Sequence, residues 1–160
     1  MTEHSPSLPP GCILRLARAS DIWPIRKLVL TAKLDPTQLR WPQFWVIECA
    51  GHLVACGQLR RYSGVQELGS LVVASTWRDR GLGTYLTQHL IQEATQPLYL
   101  ECLGSRLARF YTRLGFVPVS WGELPRSLKL KFGVSTLAAV LLRIPVRLMH
   151  YQGDRVPDQD

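Results

Sequence analysis

One stretch limits what this chain can fold into more than any other. Glu67-Leu68-Gly69-Ser70-Leu71-Val72-Val73-Ala74 reads as a strand, and Trp77-Arg78-Asp79-Arg80-Gly81-Leu82-Gly83-Thr84 as a turn bearing two glycines. Leu82, Leu86, Leu90 and Ala94, four apart, then mark a helix. A strand, glycine turn and helix in that order can bind phosphate. The first-turn amides have no partner inside the helix, and the macrodipole favours negative charge there. Gly81 and Gly83 permit unusual dihedrals and close backbone approach, and Arg78 and Arg80 can add charge-assisted contacts. The competing reading of the turn alone is a basic loop with two structural glycines.

The rest of the chain narrows the choice. At 160 residues it is expected to be one domain, burying roughly two-thirds of its unfolded surface. A hydrophobic fraction of 46% with 19% charged residues is globular rather than disordered. The net charge of +7 points to an anionic partner, whether a phosphorylated cosubstrate, a nucleic acid or an acidic surface. Cys12, Cys49, Cys56 and Cys102 form no CxxC pair, and the four histidines have no ligand spacing, so no metal site is expected. Cys49 and Cys56 could face each other across a hairpin, but buried free thiols are the expected state. No signal-peptide pattern opens the chain, and the apolar run from Phe132 to Leu142 is too short to span a bilayer. A soluble, cytoplasmic protein is expected.

Taken in order, residues 1–11 read as a flexible tail and 12–152 as the domain, with a second tail at 153–160. Cys12 to Arg18 alternates like a half-buried strand. Ser20 or Asp21 can cap a helix carrying Ile22, Ile25, Leu28, Val29 and Ala32 on one stripe. Asp35 to Pro42 is a short helix or an aromatic-lined loop. Phe44 to Ala50 and Leu53 to Arg60 form a hairpin around Gly51-His52, and Ser63-Gly64 turns into the strand from Val65. Beyond Pro97, Leu98 to Cys102 is extended. Gly104-Ser105 opens a helix with Leu107, Phe110, Tyr111 and Leu114 on one face, and Gly115 suits the left-handed position after it. Phe116 to Val119 is extended. Leu124, Leu128, Leu130, Val134, Leu137 and Leu141 then give the apolar stripe of a helix whose wet face holds Arg126, Lys129 and Lys131. That helix is expected to cover a substrate site or a dimer face. A last strand runs from Val146 to Tyr151.

Arg78-Asp79-Arg80-Gly81-Leu82-Gly83 resembles the R/Q-x-x-G-x-G/A turn of the GNAT N-acetyltransferase superfamily. Phe110-Tyr111-Thr112-Arg113-Leu114-Gly115-Phe116 resembles its second signature, an aromatic-Tyr-x-x-x-Gly-Phe run. The resemblance covers about residues 12 to 119. It implies an α/β fold of the α+β type: a mixed, mostly antiparallel twisted sheet of six to seven strands, flanked by about four to five helices, with splayed central strands that hold acetyl-CoA.

The resemblance also implies roles. Leu71, Val72 and Val73 would pair their backbone with the pantetheine arm, which has amides and can act as a short added strand. The turn Arg78, Asp79, Arg80, Gly81, Leu82, Gly83 and Thr84 would hold the pyrophosphate. Tyr111 sits at the general-acid position, where a phenol can protonate the leaving thiolate. Glu67 sits where some members carry the general base, and Glu101 competes for that role. Many members have an Asn at the start of the helix bearing the tyrosine. This chain has Gly104-Ser105 there, so Ser105 would cap the helix and take over the cofactor contact, or only cap it.

The activity this implies is that of an acetyl-CoA-dependent N-acetyltransferase, which moves the acetyl group to a primary amine by direct attack in a ternary complex. The acceptor would meet Thr31 to Trp45 and Trp121 to Pro145. A peptide or small amine with an acidic or aromatic part suits those segments better than a polyamine. The alternative is a CoA-binding regulatory module with little turnover. A nucleic-acid binder is the less favoured third reading, because the basic residues are scattered and lack a recognition motif. Neither nucleic acid nor membrane is an expected partner, and the chain would act as a monomer or homodimer.

Overall fold

The computed structural model describes residues 6–143 and 145–153. The tail expectations at 1–5 and 154–160 lie outside the described residues. Among the described residues, seven strands and four α-helices follow one another: β1 (Cys12–Leu16), α1 (Ile22–Thr31), β2 (Phe44–Cys49), β3 (His52–Tyr62), β4 (Val65–Val73), α2 (Leu82–Glu93), β5 (Leu98–Leu103), α3 (Gly104–Arg113), β6 (Phe116–Pro118), α4 (Arg126–Leu141) and β7 (Val146–Tyr151). Neighbouring strands are hydrogen-bonded in the order β1-β2-β3-β4-β5-β7-β6. The pairs β1–β2, β2–β3, β5–β7 and β6–β7 are antiparallel, whereas β4–β5 is parallel. This is the mixed, mostly antiparallel sheet with four helices that the resemblance implies. The β4–β5 ladder is short, joining Gln66 to Leu98 and Glu67 to Tyr99. The chain divides into two compact units, Met1–Arg60 with Leu68–Glu93 and Arg61–Glu67 with Ala94–Asp160.

In the first unit, side chains alternate across the strands. Ile25 and Val29 of α1 pack with Phe44, Val46, Cys56 and Val72. On the opposite face, Gly57 lets α2 come close: a Cβ there would lie 2.6 Å from Leu90 and 3.1 Å from Leu71. Cys56 and Gly57 are consecutive, so α1 and α2 cover opposite faces. The β2–β3 turn is Ala50-Gly51, with φ of 49° and 81°, one residue earlier than expected. Two left-handed residues are what a tight hairpin turn demands.

Two sequence expectations fail in this unit. Cys49 is not a free thiol. The β1–β2 register sets Cys12 directly opposite it, and the two form a disulfide; Cys56 is free and buried as expected. Asp21 precedes α1, but neither it nor Ser20 caps that helix with its side chain. The Asp21 carboxylate turns back instead, accepting from the Arg18 amide at 2.6 Å and from the Arg15 guanidinium at 2.7 Å. A charged donor outcompetes a helix-end amide for the same oxygens.

In the second unit, Leu124, Leu128 and Phe132 pack with Val65 and Tyr99. The buried side of α4 is therefore not the whole stripe read from the sequence. Leu128 and Phe132 are fully buried, while Leu130, Val134, Leu137 and Leu141 are exposed. Gly115 takes φ +97° after α3, as expected, and a Cβ would lie 2.8 Å from Tyr151. Among the described residues no helix is long and apolar enough to cross a membrane.

Candidate active site

The phosphate-type junction is present in the first unit. β4 ends at Val73, a short 3-10 turn covers Ser75–Trp77, and α2 starts at Leu82. The Gly81 carbonyl accepts from the Tyr85 amide at 3.0 Å, which opens α2. The amides of Leu82, Gly83 and Thr84 belong to the first turn, where helical geometry gives them no acceptor. Asp79 has φ 61° and Gly81 φ 79°. No atom lies within 4 Å of a Cβ built on Gly81, so the dihedral rather than space calls for glycine there.

Arg78 and Arg80 are exposed, and both fold back onto the turn. Arg78 Nε donates to the Val73 carbonyl at 3.2 Å, and Arg80 Nη2 donates to the Thr76 carbonyl at 3.3 Å. Arg80 also stacks on the Trp77 ring, 4.6 Å from its centroid. Each keeps further N–H groups for an anion. Just upstream, Leu71 lies against α2 and Val72 is buried against α1. Ser70 has φ 49°, so the chain kinks immediately before Leu71–Val73.

The second unit holds Glu67, Tyr111, Glu101 and Ser105. Glu67 is buried at 2% exposure on β4. It is ion-paired with Lys131 of α4 and accepts from the Tyr62 hydroxyl at 3.1 Å. Lys131, expected on a wet face, instead supplies the counter-charge that a buried carboxylate requires. Neither Lys131 nor Tyr62 is singled out by sequence: Lys131 adjoins Phe132, but two overlapping apolar stripes make the sides of α4 indistinguishable on paper.

Tyr111 is buried on α3, its ring edge-on to Phe110 and Phe116. Burial first, and the neighbouring Cys102 second, push its phenol well above the ordinary tyrosine range, so it stays protonated. Glu101 is half-buried within β5, opposite Leu148 of β7, and not at the strand end expected from the sequence. Ser105 does not cap α3. The N-cap is Leu103, and Ser105 lies exposed inside the first helical turn. The left-handed Gly104 begins the helix one residue before Ser105 could occupy a cap. The free thiols are not poised as nucleophiles. Burial pushes Cys102 up to about 11 and Cys56 up to about 12.

Residues 40–118 match the family model described as the acetyltransferase (GNAT) domain. That stretch carries the likeness to the family. Among solved structures, N-acetylglutamate synthase from Neisseria gonorrhoeae, complexed with coenzyme A and N-acetyl-glutamate, superposes with a TM-score of 0.73. The two are 20% identical over 93% of this chain, which spans 37% of that protein's chain. Rv2747 from Mycobacterium tuberculosis, in complex with CoA and NLQ, has a TM-score of 0.70 and 23% identity, covering 87% of this chain and 98% of that one. Escherichia coli ElaA has a TM-score of 0.64 and 16% identity, covering 88% and 99%.

Proposed function

We propose that the protein is an acetyl-CoA-dependent N-acetyltransferase acting on a primary amine. The observation that carries this is the β4–turn–α2 junction, with its left-handed Asp79 and Gly81 and the first-turn amides of Leu82, Gly83 and Thr84. It lies within the stretch matched to the GNAT domain. The residues present fit a pyrophosphate: oriented amides, a side-chain-free Gly81 and two guanidiniums at one helix start. The backbone of Leu71, Val72 and Val73 lies on the approach to that turn and would accompany the pantetheine arm.

Acetyl-CoA supplies an activated acetyl thioester. The chain's residues manage protons around it. Glu67, ion-paired with Lys131, accepts the acceptor ammonium's proton, directly or through water. Tyr111, held protonated by burial, offers its hydroxyl proton to the departing sulfur. The two free cysteines, with thiols raised by burial, favour direct attack by the amine over an acyl-cysteine. Ser105, exposed in the first turn of α3, remains available to a cofactor amide.

The acceptor class is argued from the segments flanking the domain's core. Trp41 and Trp121 are exposed, and basic side chains outnumber acids in both segments, so an amine bearing a carboxylate or an aromatic group is favoured. The test is mass spectrometry of a panel of amino acids, peptides and aryl amines incubated with acetyl-CoA. One acetylated product class is expected. Saturable acetyl-CoA binding with no acetylated product would favour the CoA-binding regulatory module; no binding would overturn both.

A further inference from the structure

Among the described residues nothing covers the outward face of α4, and its residue spacing defines what fits there. Leu130, Val134, Leu137 and Leu141 are 82%, 68%, 63% and 76% exposed. Their spacing of four, three and four is the a/d spacing of a heptad, with Leu130 and Leu137 at d and Val134 and Leu141 at a. Val140 and Leu142 flank the seam and are equally exposed. The opposite side of the helix is already committed, with Leu128 and Phe132 fully buried in the second unit. An α-helix apolar on both sides is ordinarily buried on both.

We propose that α4 is a homodimerisation helix, its Leu130–Val134–Leu137–Leu141 seam packing against the same seam of a second copy. Charge decides the occupant. From Phe132 to Leu142 the sequence has no charged residue, so two identical seams meet without like-charge repulsion. Ala138, small and exposed, flanks the seam and permits close helix approach. An anionic lipid surface would instead call for cations along the helix. Here Arg126 and Lys129 stand in the first turn, Lys131 is committed to Glu67 and Arg143 follows the helix, so none lies along the seam from Phe132 to Leu142.

The experiment is sedimentation equilibrium on the full chain, wild type beside Leu137→Asp, with parallel thermal melts and co-sedimentation with phosphatidylserine vesicles. The wild type is expected at twice the chain mass. The variant is expected at once the chain mass, its self-association weakened roughly 10²-fold or more by a buried unpaired charge. Its melting temperature, extrapolated to low concentration, should match the wild type, because Leu137 contacts no core. A wild type that stays monomeric to the highest concentration overturns the proposal. So does a dimer that Leu137→Asp leaves intact. A monomer that co-sediments with vesicles through Leu137 would assign the face to lipid instead. If Leu137→Asp melts early, Val134→Ser, which keeps the helix neutral, provides the second reading: it must also weaken the dimer, and a dimer of wild-type strength contradicts the seam.

Discussion

Glu67 is deeply buried and ion-paired with Lys131, and removing one partner of a buried pair strands the other. Under the proposed function, Glu67→Gln is expected to have two consequences. It strands the Lys131 ammonium, costing about 3 kcal/mol in urea unfolding, and it slows transfer most at neutral pH, where little of the acceptor amine is free. Glu67→Gln with Lys131→Met should recover much of the lost stability while remaining slow. A double variant at the wild-type rate would leave the pair purely structural and transfer the base role to Glu101 or to water. Tyr111→Phe isolates a different atom. The ring keeps its contacts with Phe110 and Phe116, and only the hydroxyl is lost. General acid catalysis is worth about 10²–10⁴-fold, and a thiol of pKa near 8.5 is already a fair leaving group, so a kcat loss of about 10²-fold is expected with acetyl-CoA affinity unchanged. Steady-state kinetics beside a binding titration decide it. An unchanged kcat would reduce Tyr111 to packing.

At the scale of elements, the turn between β4 and α2 makes a separable prediction. Gly83→Val places a branched side chain among the first-turn amides and should abolish the thermal shift that acetyl-CoA gives the wild type. A folded variant with the full shift would move the cradle elsewhere. The Cys12–Cys49 disulfide ties the β1 edge to β2 across 37 residues. Replacing both cysteines by serine should cost about 2–3 kcal/mol, roughly 5–10 °C in Tm. An unchanged melt would mean that strand pairing alone holds β1. Most elements are legible in the sequence because their signals are local: alternation marks β2 to β4, and glycines mark the turns at 51, 64, 81 and 115. The features that escape it depend on tertiary partners. Cys12 meets Cys49 only through strand register. Asp21 abandons α1 because Arg15 lies within reach. The side that α4 buries is chosen by Phe132, not by its longer leucine stripe. Of the candidate residues, the turn and the tyrosine are visible as motifs. Lys131 is not, because an ion pair 64 residues apart leaves no pattern in the chain.

For the whole molecule, the GNAT match, the phosphate-type turn and the net charge of +7 agree on an anionic, CoA-type cosubstrate. In the proposed reaction the acceptor amine attacks the thioester itself. The most direct test is the initial rate of CoA thiol release by the full chain, with acetyl-CoA and the acceptor varied together. Release should require the amine, saturate in both substrates, and give double-reciprocal lines that intersect. Parallel lines would indicate an acyl-enzyme, and release indifferent to the amine would contradict amine acetylation altogether.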